Sequence, residues 1–574
     1  MRIKLPKQWV IPRIDQGKLE FFSKELRISS ILASILLNRG LETLEAASDF
    51  LEPSLTNLHN PFLMKDMDKA VTCLQRALQD KSLIMIHGDY DVDGITGTAL
   101  LVRVFRELYA NYSYYIPQRL KEGYGLSCET IQKAKQQGVK VIITVDCGIS
   151  ACKEVELANE LGIQVLITDH HQAPPVLPKA TAILNPRQKE CLYPFKSLAG
   201  VGIAYKLSVA LMSSLGIPPS EEIPPYNCLD LVALGTIADV APLLGENRIL
   251  VKYGLKQISR SKKPGVIELK RVAGLEEEEI QSRHIGYSLA PRINAIGRLG
   301  NASEAVELLT TDNYRLAFEI AGHLDRANRE RQEVEQNVLD EAFAKIETEH
   351  HLDQGNILVL SSPNWHPGVI GIAASKIVEV YYRPTVLIAE FNGIGRGSAR
   401  SIPSFSIFEA LRECACLLKN FGGHMTAAGL TIETSAISSF RDQINKIGAG
   451  KLSREDLIPQ IKIDAEVDLD CITLQLIKEL EKCAPFGLGN PEPVFVARGL
   501  QIMRSPCIVG ENHLKMKVRQ SITQTPAEAI GFGMKSLLEK VFPSLPRIDV
   551  VFSPQINNRN GKPRIQLRLK DIKF

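Results

Sequence analysis

Between about residue 80 and residue 240, short runs of apolar residues alternate with longer amphipathic stretches. LIMIHG (83–88), VIITVDCG (141–148) and IQVLIT (163–168) are dominated by Ile, Val, Leu and Thr and read as buried strands. GTALLVRVFRELY and CKEVELANELG are helical runs in the same region. Such alternation predicts a parallel, doubly wound sheet. Before it, residues 1–75 carry helical patterns such as SSILASILLNRGLETLEAASDFLEP, ending at Pro53; after it a mostly helical stretch continues to about 310. Residues 313–350 are dense in charge and nearly free of Pro and Gly. Their apolar positions, among them Leu324, Val334, Val338, Leu339 and Phe343, predict a long exposed connecting helix. The alternation then resumes with ILVLS (357–361), GVIGIAASKIVEVYY and TVLIAE (385–390), a second α/β unit. Five short patterned segments close the chain: FVARGLQIM, HLKMKVR, AEAIGFG, RIDVVFSPQ and PRIQLRLKDI, which suit a small β-barrel. The expected domains are 1–75, helical and packed on the catalytic domain; 76–310, catalytic; 311–350, the connecting helix; 351–452, the second α/β domain; and 455–574, the barrel.

The ends of the first three strands carry the chemistry. The first runs into His87, Asp89, Asp91 and Asp93, the second into Asp146, the third into Asp169, His170 and His171. Open α/β sheets bind ligands at this carboxyl edge. Adjacent histidines there suit a polar loop as well as a ligand pair, but three acids within five residues cannot be buried together without a counter-cation. A divalent metal would serve, and two fit better than one. The mixed imidazole and carboxylate set suits Mn²⁺ or Mg²⁺ rather than a thiolate-rich structural zinc site. Asp239, inside the otherwise apolar LVALGTIADVAPL (231–243), needs a partner of the same kind.

Composition narrows the class. At 574 residues the chain is too long for one core, and 45% hydrophobic with 23% charged residues is ordinary for a soluble globular protein. No apolar run is long enough to span a bilayer, and the start MRIKLPKQWVIP lacks the apolar centre of a signal peptide. Eleven scattered cysteines read as reduced cytosolic thiols, which places the protein in the cytoplasm. The net charge of +3 hides an asymmetry: from residue 498 onward there are 14 Lys/Arg against five Asp/Glu. A basic barrel suggests a polyanion such as single-stranded nucleic acid, held away from the metal site. Removing the chain from about residue 455 onward is therefore expected to leave the metal site assembled. In the second α/β unit, GIGRGSARSI (393–402) and FGGHMTAAG (421–429) are glycine-rich. Arg396, Ser398 and Arg400 are natural phosphate donors on a loop able to wrap an anion, although an ordinary turn with solvated arginines fits that cluster equally.

HGDYDVDG, VDCG, DHH and GTIADVAPL, in this order, resemble the four motifs of the DHH phosphoesterase superfamily, and GGH-x-x-A-A-G resembles the signature of its DHH-associated domain. With SLAPRINAIGRLG (288–300), WHPGVIGIAASK (365–376), RGSARS (396–401) and the basic barrel, the whole chain is similar to the RecJ family, bacterial single-strand-specific exonucleases. The resemblance implies a parallel-sheet DHH catalytic domain, a connecting helix, a DHH-associated domain and a C-terminal OB-like barrel. It implies two ions, Mn²⁺ or Mg²⁺: one held by His87, Asp91 and Asp146, the other by Asp93, Asp146, His170 and Asp239. His171 would either support a metal ligand or face the substrate, Asp89 would support by hydrogen bonding, and His424, after Gly422 and Gly423, would reach the scissile phosphate. His366, Arg396, Ser398 and Arg400 would bind substrate, the last two at the 5′-phosphate. Arg119, Arg292 and Arg298 would contact the DNA backbone, with a surface salt bridge as the competing reading. The implied activity is 5′-to-3′ degradation of single-stranded DNA to mononucleotides in repair and recombination, with single-strand-binding protein and a helicase as partners and no membrane. Oligonucleotide, cyclic-dinucleotide and polyphosphate hydrolases share the catalytic motifs but lack the basic barrel. A non-catalytic DNA-binding scaffold would lack some of the metal-motif acids, all of which stand here.

Overall fold

The computed structural model describes residues 6–118, 122–348, 355–503, 505–521, 525–538, 547–557 and 563–574. The chain forms two compact units: its start up to Val10 with Arg326–Ile461, and Ile11–Asp325 with Lys462–Phe574. A short strand β1 (Gln8–Val10) belongs to the first of these.

In the other unit, β2 (Ile84–Gly88), β3 (Tyr112–Tyr115), β4 (Val141–Val145), β5 (Gln164–Thr168) and β6 (Ala182–Leu184) form one sheet in the order β3-β2-β4-β5-β6. Every pairing in it is parallel. All five residues of β2 and of β4 are buried, as a sheet covered by helices on both faces requires. Helix Val92–Glu107 follows β2 and helix Cys152–Glu160 lies between β4 and β5.

In the unit that contains β1, β7 (Leu358–Ser362), β8 (Thr385–Phe391), β9 (Ile394–Arg400), β10 (Leu418–Gly423) and β11 (Ala427–Glu433) form a mixed sheet, order β10-β11-β9-β8-β7. A further strand, β12 (Gln460–Lys462), pairs with β1. GIGRGSARSI, expected as a loop, is instead mostly β9, and FGGHMTAAG is the β10–β11 hairpin. The glycines of β9 are there for packing: a Cβ on Gly395 would stand 2.6 Å from Ile388 Cγ2, and one on Gly397 2.7 Å from Leu430 Cγ.

The connecting helix runs from Tyr314 to Thr348. At 35 residues it is roughly 52 Å long. It is less exposed than expected, because Val338, Leu339, Ala342, Phe343 and Ile346 share a core with Leu358, Leu360 and Trp365.

At the C-terminus, β13 (Ala465–Glu466), β14 (Phe495–Ile502), β15 (Cys507–Val509), β16 (His513–Arg519), β17 (Ala527–Gly531), β18 (Arg547–Asn557) and β19 (Arg564–Lys573) order as β13-β14-β18-β19-β17-β16-β15. An added β14–β16 pairing makes the sheet a partly closed ring, with β17 and β19 parallel. This is the expected OB-like barrel.

It is not a separable module. Phe22, Leu32, Ile35, Leu36 and Phe50 of the N-terminal helices share one core with Leu476, Phe495, Val550 and Phe552. The segment 1–75 was expected on the catalytic domain; helix Met67–Gln79 does pack there, against helix Gly200–Ser214 and β6, whereas residues 16–51 complete the barrel's core. Truncation at about 455 would therefore expose the apolar faces of residues 16–51. Arg248 fastens the junction. Its buried guanidinium lies 3.8 Å from the Phe50 ring centroid and donates to Phe50 O at 2.9 Å, Cys483 O at 2.7 Å and Lys482 O at 2.9 Å. Replacing Arg248 by Met would leave these carbonyls without that donor, and should cost about 3 kcal/mol or more. A chemical-denaturation midpoint equal to wild type would contradict this.

Candidate metal centre

The parallel ladder delivers the acids. The backbone N–H groups of Asp89, Asp146 and Asp169 donate to Val145 O at 3.1 Å, Thr168 O at 2.9 Å and Leu184 O at 3.1 Å. Each acid thus stands one residue past its strand, still tied to the next strand. Asp91 caps helix Val92–Glu107 by accepting from Asp93 N at 2.9 Å and Gly94 N at 3.1 Å. Asp93 lies within that helix and reaches the start of helix Gly200–Ser214, accepting from Gly200 N at 2.6 Å and Val201 N at 2.8 Å. Asp146 has φ 62°, and a Cβ on Gly200 would stand 2.8 Å from its own Cβ, so glycine is what allows this approach.

Three sets of potential ligand atoms result, each within 4.8 Å: Asp89, Asp91 and Asp146; Asp146, His170 and His171; Asp93, His170 and Asp239. His170 Nε2 lies 3.1 Å from Asp146 Oδ1 and 3.8 Å from both Asp93 Oδ2 and Asp239 Oδ2. Asp146 therefore belongs to two sets. Asp89, expected only in support, stands among the candidate ligands. His87 falls in none of these sets: its buried ring stacks on Tyr115 with centroids 5.8 Å apart.

The electrostatics fit a cation. Burial and repulsion from Asp91 push Asp93 up to about 7, and burial with Asp93 and Asp91 pushes Asp239 up to about 8. Burial and four neighbouring aspartates hold Asp146 well above the usual carboxylate range, and among the described residues its Oδ1 has no hydrogen-bond donor. A divalent ion would remove that mutual repulsion, and the oxygen and imidazole donors suit Mn²⁺ or Mg²⁺. His87 moves the other way, pushed by burial down to about 4, which keeps its imidazole neutral.

Asp169, singled out at its strand end but given no role of its own, orients His171. It accepts from His171 Nδ1 at 2.7 Å and from the backbone N–H groups of His171 and Ile149. Burial works against His171's charge, but the bond to Asp169 and the surrounding acids raise it to about 9. Tyr124 donates to Asp146 O at 2.9 Å and lies 3.3 Å from His171 Nδ1. Asn294, inside SLAPRINAIGRLG, accepts from Val92 N at 3.2 Å, and a Cβ on Gly297 would stand 2.4 Å from Tyr90 O. That segment thus braces the loop carrying Asp89 and Asp91. Arg292 donates to Asp325 Oδ1, Ser288 O and Val272 O, and its bond to Asp325 is the salt bridge that was the competing reading of this residue. Arg298 is half-buried near the end of the same helix, and Arg119 lies outside the described residues.

In the β7–β11 sheet, Arg396, Ser398 and Arg400 share one face of β9. Arg400 donates to Ser398 Oγ at 3.1 Å, and both stand beside Gly371, in the first turn of helix Ile370–Tyr381. His366, just before that helix, accepts from Gly368 N at 3.1 Å through Nδ1. Gly422 pairs with Gly429, and Gly429 with Ser398. Gly423 has φ 145° and turns the chain into the exposed His424, whose N–H donates to Ala427 O at 2.8 Å.

Residues 83–236 match the DHH family, N-terminal domain, residues 354–449 the DHHA1 domain and residues 463–571 the RecJ OB domain. The chain is 39% identical over 568 residues to the single-stranded-DNA-specific exonuclease RecJ of Bacillus subtilis, covering 98% of this chain and 70% of that one. It is 36% identical over 532 residues to the RecJ exonuclease of Haemophilus influenzae, covering 90% and 92%. The chain belongs to the RecJ family. Its fold also matches a crystal structure of RecJ from Thermus thermophilus in complex with Mn²⁺, with TM-score 0.85, 30% identity and coverage of 99% and 79%. Among the described residues no helix is long and apolar enough to cross a membrane.

The bracing by SLAPRINAIGRLG is testable in this RecJ-family chain. Gly297→Ala should displace Tyr90 and Asp91 and lower turnover on the order of 100-fold, with helix content by circular dichroism unchanged. Wild-type turnover would show that the helix does not position the loop.

Proposed function

We propose that this chain is a metal-dependent exonuclease that degrades single-stranded DNA from the 5′ end to mononucleotides, in DNA repair and recombination. The observation that carries the reading is the meeting of three ligand sets at one sheet edge, two of them on Asp146. The RecJ relatives are named for the same activity, and the Thermus structure holds Mn²⁺.

Asp89, Asp91, Asp93, Asp146, His170 and Asp239 would hold two divalent ions, Mn²⁺ or Mg²⁺. When bound, such a pair neutralises charge developing on the phosphate and activates the attacking water. The chain's own residues set the geometry. Gly200 and Val201 fix both oxygens of Asp93, Tyr124 ties the Asp146 backbone, and Asp169 turns His171 so that Nε2 is the nitrogen left to face substrate. Ser398 and Arg400, beside a helix N-terminus, would take the 5′-phosphate, and His366, Arg396 and His424 further phosphate contacts. The OB-like barrel, with its basic surplus, would hold the strand beyond the reacting end. Cytoplasmic action on strands exposed by a helicase and coated by single-strand-binding protein completes the proposal.

The assay compares 5′-labelled and 3′-labelled single and double strands, with Mn²⁺ and with chelator. Single strands should release 5′-labelled mononucleotide first, chelator should stop release, and double strands should resist. Asp146→Ala should nearly abolish hydrolysis while retaining affinity for single-stranded DNA. An Asp146→Ala protein digesting at the wild-type rate would overturn the two-ion assignment, and release of the 3′ label first would overturn the polarity.

A further inference from the structure

The segment that enters the barrel reads CAPFGLGNP over 483–491 and folds into a tight loop. Gly487 N–H donates to Asn490 O at 2.8 Å, and Asn490 N–H returns to Gly487 O at 3.1 Å. Asn490 is fully buried, its side-chain amide donating to Cys483 O at 2.8 Å and Pro485 O at 2.7 Å. Two arginines grip the loop from other parts of the chain. Arg39 donates to Asn490 Oδ1 and to Pro491 O, while Arg248 donates to Cys483 O and Lys482 O. So many ties from sequence-distant residues hold the loop in one shape.

What this loop touches is the stretch directly after Asp239. Leu243 N–H donates to Leu488 O at 2.8 Å. A Cβ on Gly487 would stand 2.7 Å from Leu243 Cδ1, and one on Gly489 3.1 Å from Leu244 Cδ1. Only Val240, Ala241 and Pro242 separate Asp239 from the contact. Val240 has φ 58°, a conformation that a β-branched residue adopts only when its surroundings impose it. On one side Ala241 N–H donates to Thr236 O at 3.1 Å; on the other, Asn247 Nδ2 donates to Pro242 O at 3.1 Å, and the Leu243–Leu488 bond follows at once. The turn that aims Asp239 is therefore clamped at its far end by the loop leading into the barrel.

We infer that Gly487 and Leu488 are positioning residues for Asp239, so that the loop entering the barrel sets the affinity of the Asp93–His170–Asp239 group for a divalent cation. The inference rests on the metal reading proposed above. It makes the barrel's attachment part of the metal site's support, in addition to any grip the barrel has on DNA.

The test uses the full-length chain and Mn²⁺ binding by titration calorimetry, beside thermal melting and single-stranded-DNA affinity measured in chelator. Asp239→Asn serves as the reference for loss of the ligand itself. Gly487→Ala, whose new methyl meets Leu243, should weaken one Mn²⁺ about tenfold. The Mn²⁺ needed for half-maximal hydrolysis should rise with it, while kcat at high Mn²⁺ largely recovers and DNA affinity in chelator stays unchanged. Adding Leu243→Ala removes the atom that is struck, and should bring Mn²⁺ affinity back to within about threefold of wild type. Should Gly487→Ala not fold, Leu243→Ala alone carries the test, since it introduces no clash and should weaken the same ion about threefold. Wild-type Mn²⁺ affinity in Leu243→Ala or in folded Gly487→Ala, with Asp239→Asn impaired, would overturn the coupling. Wild-type affinity in Asp239→Asn would instead overturn the metal reading beneath it.

Discussion

Mutual repulsion among buried carboxylates is the constraint on which this structure turns. Asp89, Asp93, Asp146 and Asp169 are all nearly inaccessible to water, with Asp91 and Asp239 beside them. Water cannot screen charges so placed, so each acid needs either a hydrogen-bonding anchor or a cation. The fold answers in two ways. Asp169 receives two backbone N–H groups and an imidazole, and these hold its carboxyl below the usual range despite its burial. Asp93 is anchored on a helix N-terminus yet remains raised, and Asp146 and Asp239 are raised as well. The acids that stay raised are those grouped with His170.

Much of the surrounding architecture follows from the need to hold those groups in place. The parallel ladder runs one hydrogen bond past each strand, Gly200 admits Asp146, and Asn294 and Gly297 brace the loop before helix Val92–Glu107. The same reasoning extends to the C-terminus, where the turn after Asp239 is held by a loop anchored through Arg39 and Arg248. Catalytic domain, N-terminal helices and barrel form one compact unit because they share buried contacts at these points.

The acids were legible in the sequence because an apolar run that stops at Asp signals a strand end, where ligands gather. The parallel order of the catalytic sheet and the C-terminal barrel were legible for similar reasons of periodicity. Which acid joins which set was not, since that depends on how the turn from Asp89 to Asp93 is braced by residues two hundred positions away. Asp89 joins Asp91 and Asp146 in one of these sets through that turn. The glycines of β9 resembled a turn, although their cause is Ile388 and Leu430 on neighbouring strands. The partners of Arg292, Asp325 and two carbonyls, were not legible because nothing local in the sequence points to them. The apolar faces of residues 16–51 announced a core but not that their partner lies more than four hundred residues on.

The central claim is that two ions share Asp146, and electron paramagnetic resonance of the Mn²⁺-loaded protein tests it most directly. Two Mn²⁺ per chain held by a common carboxylate should give an exchange-coupled spectrum as the second equivalent binds. A spectrum of isolated Mn²⁺ at every loading, or saturation at one ion per chain, would contradict the account.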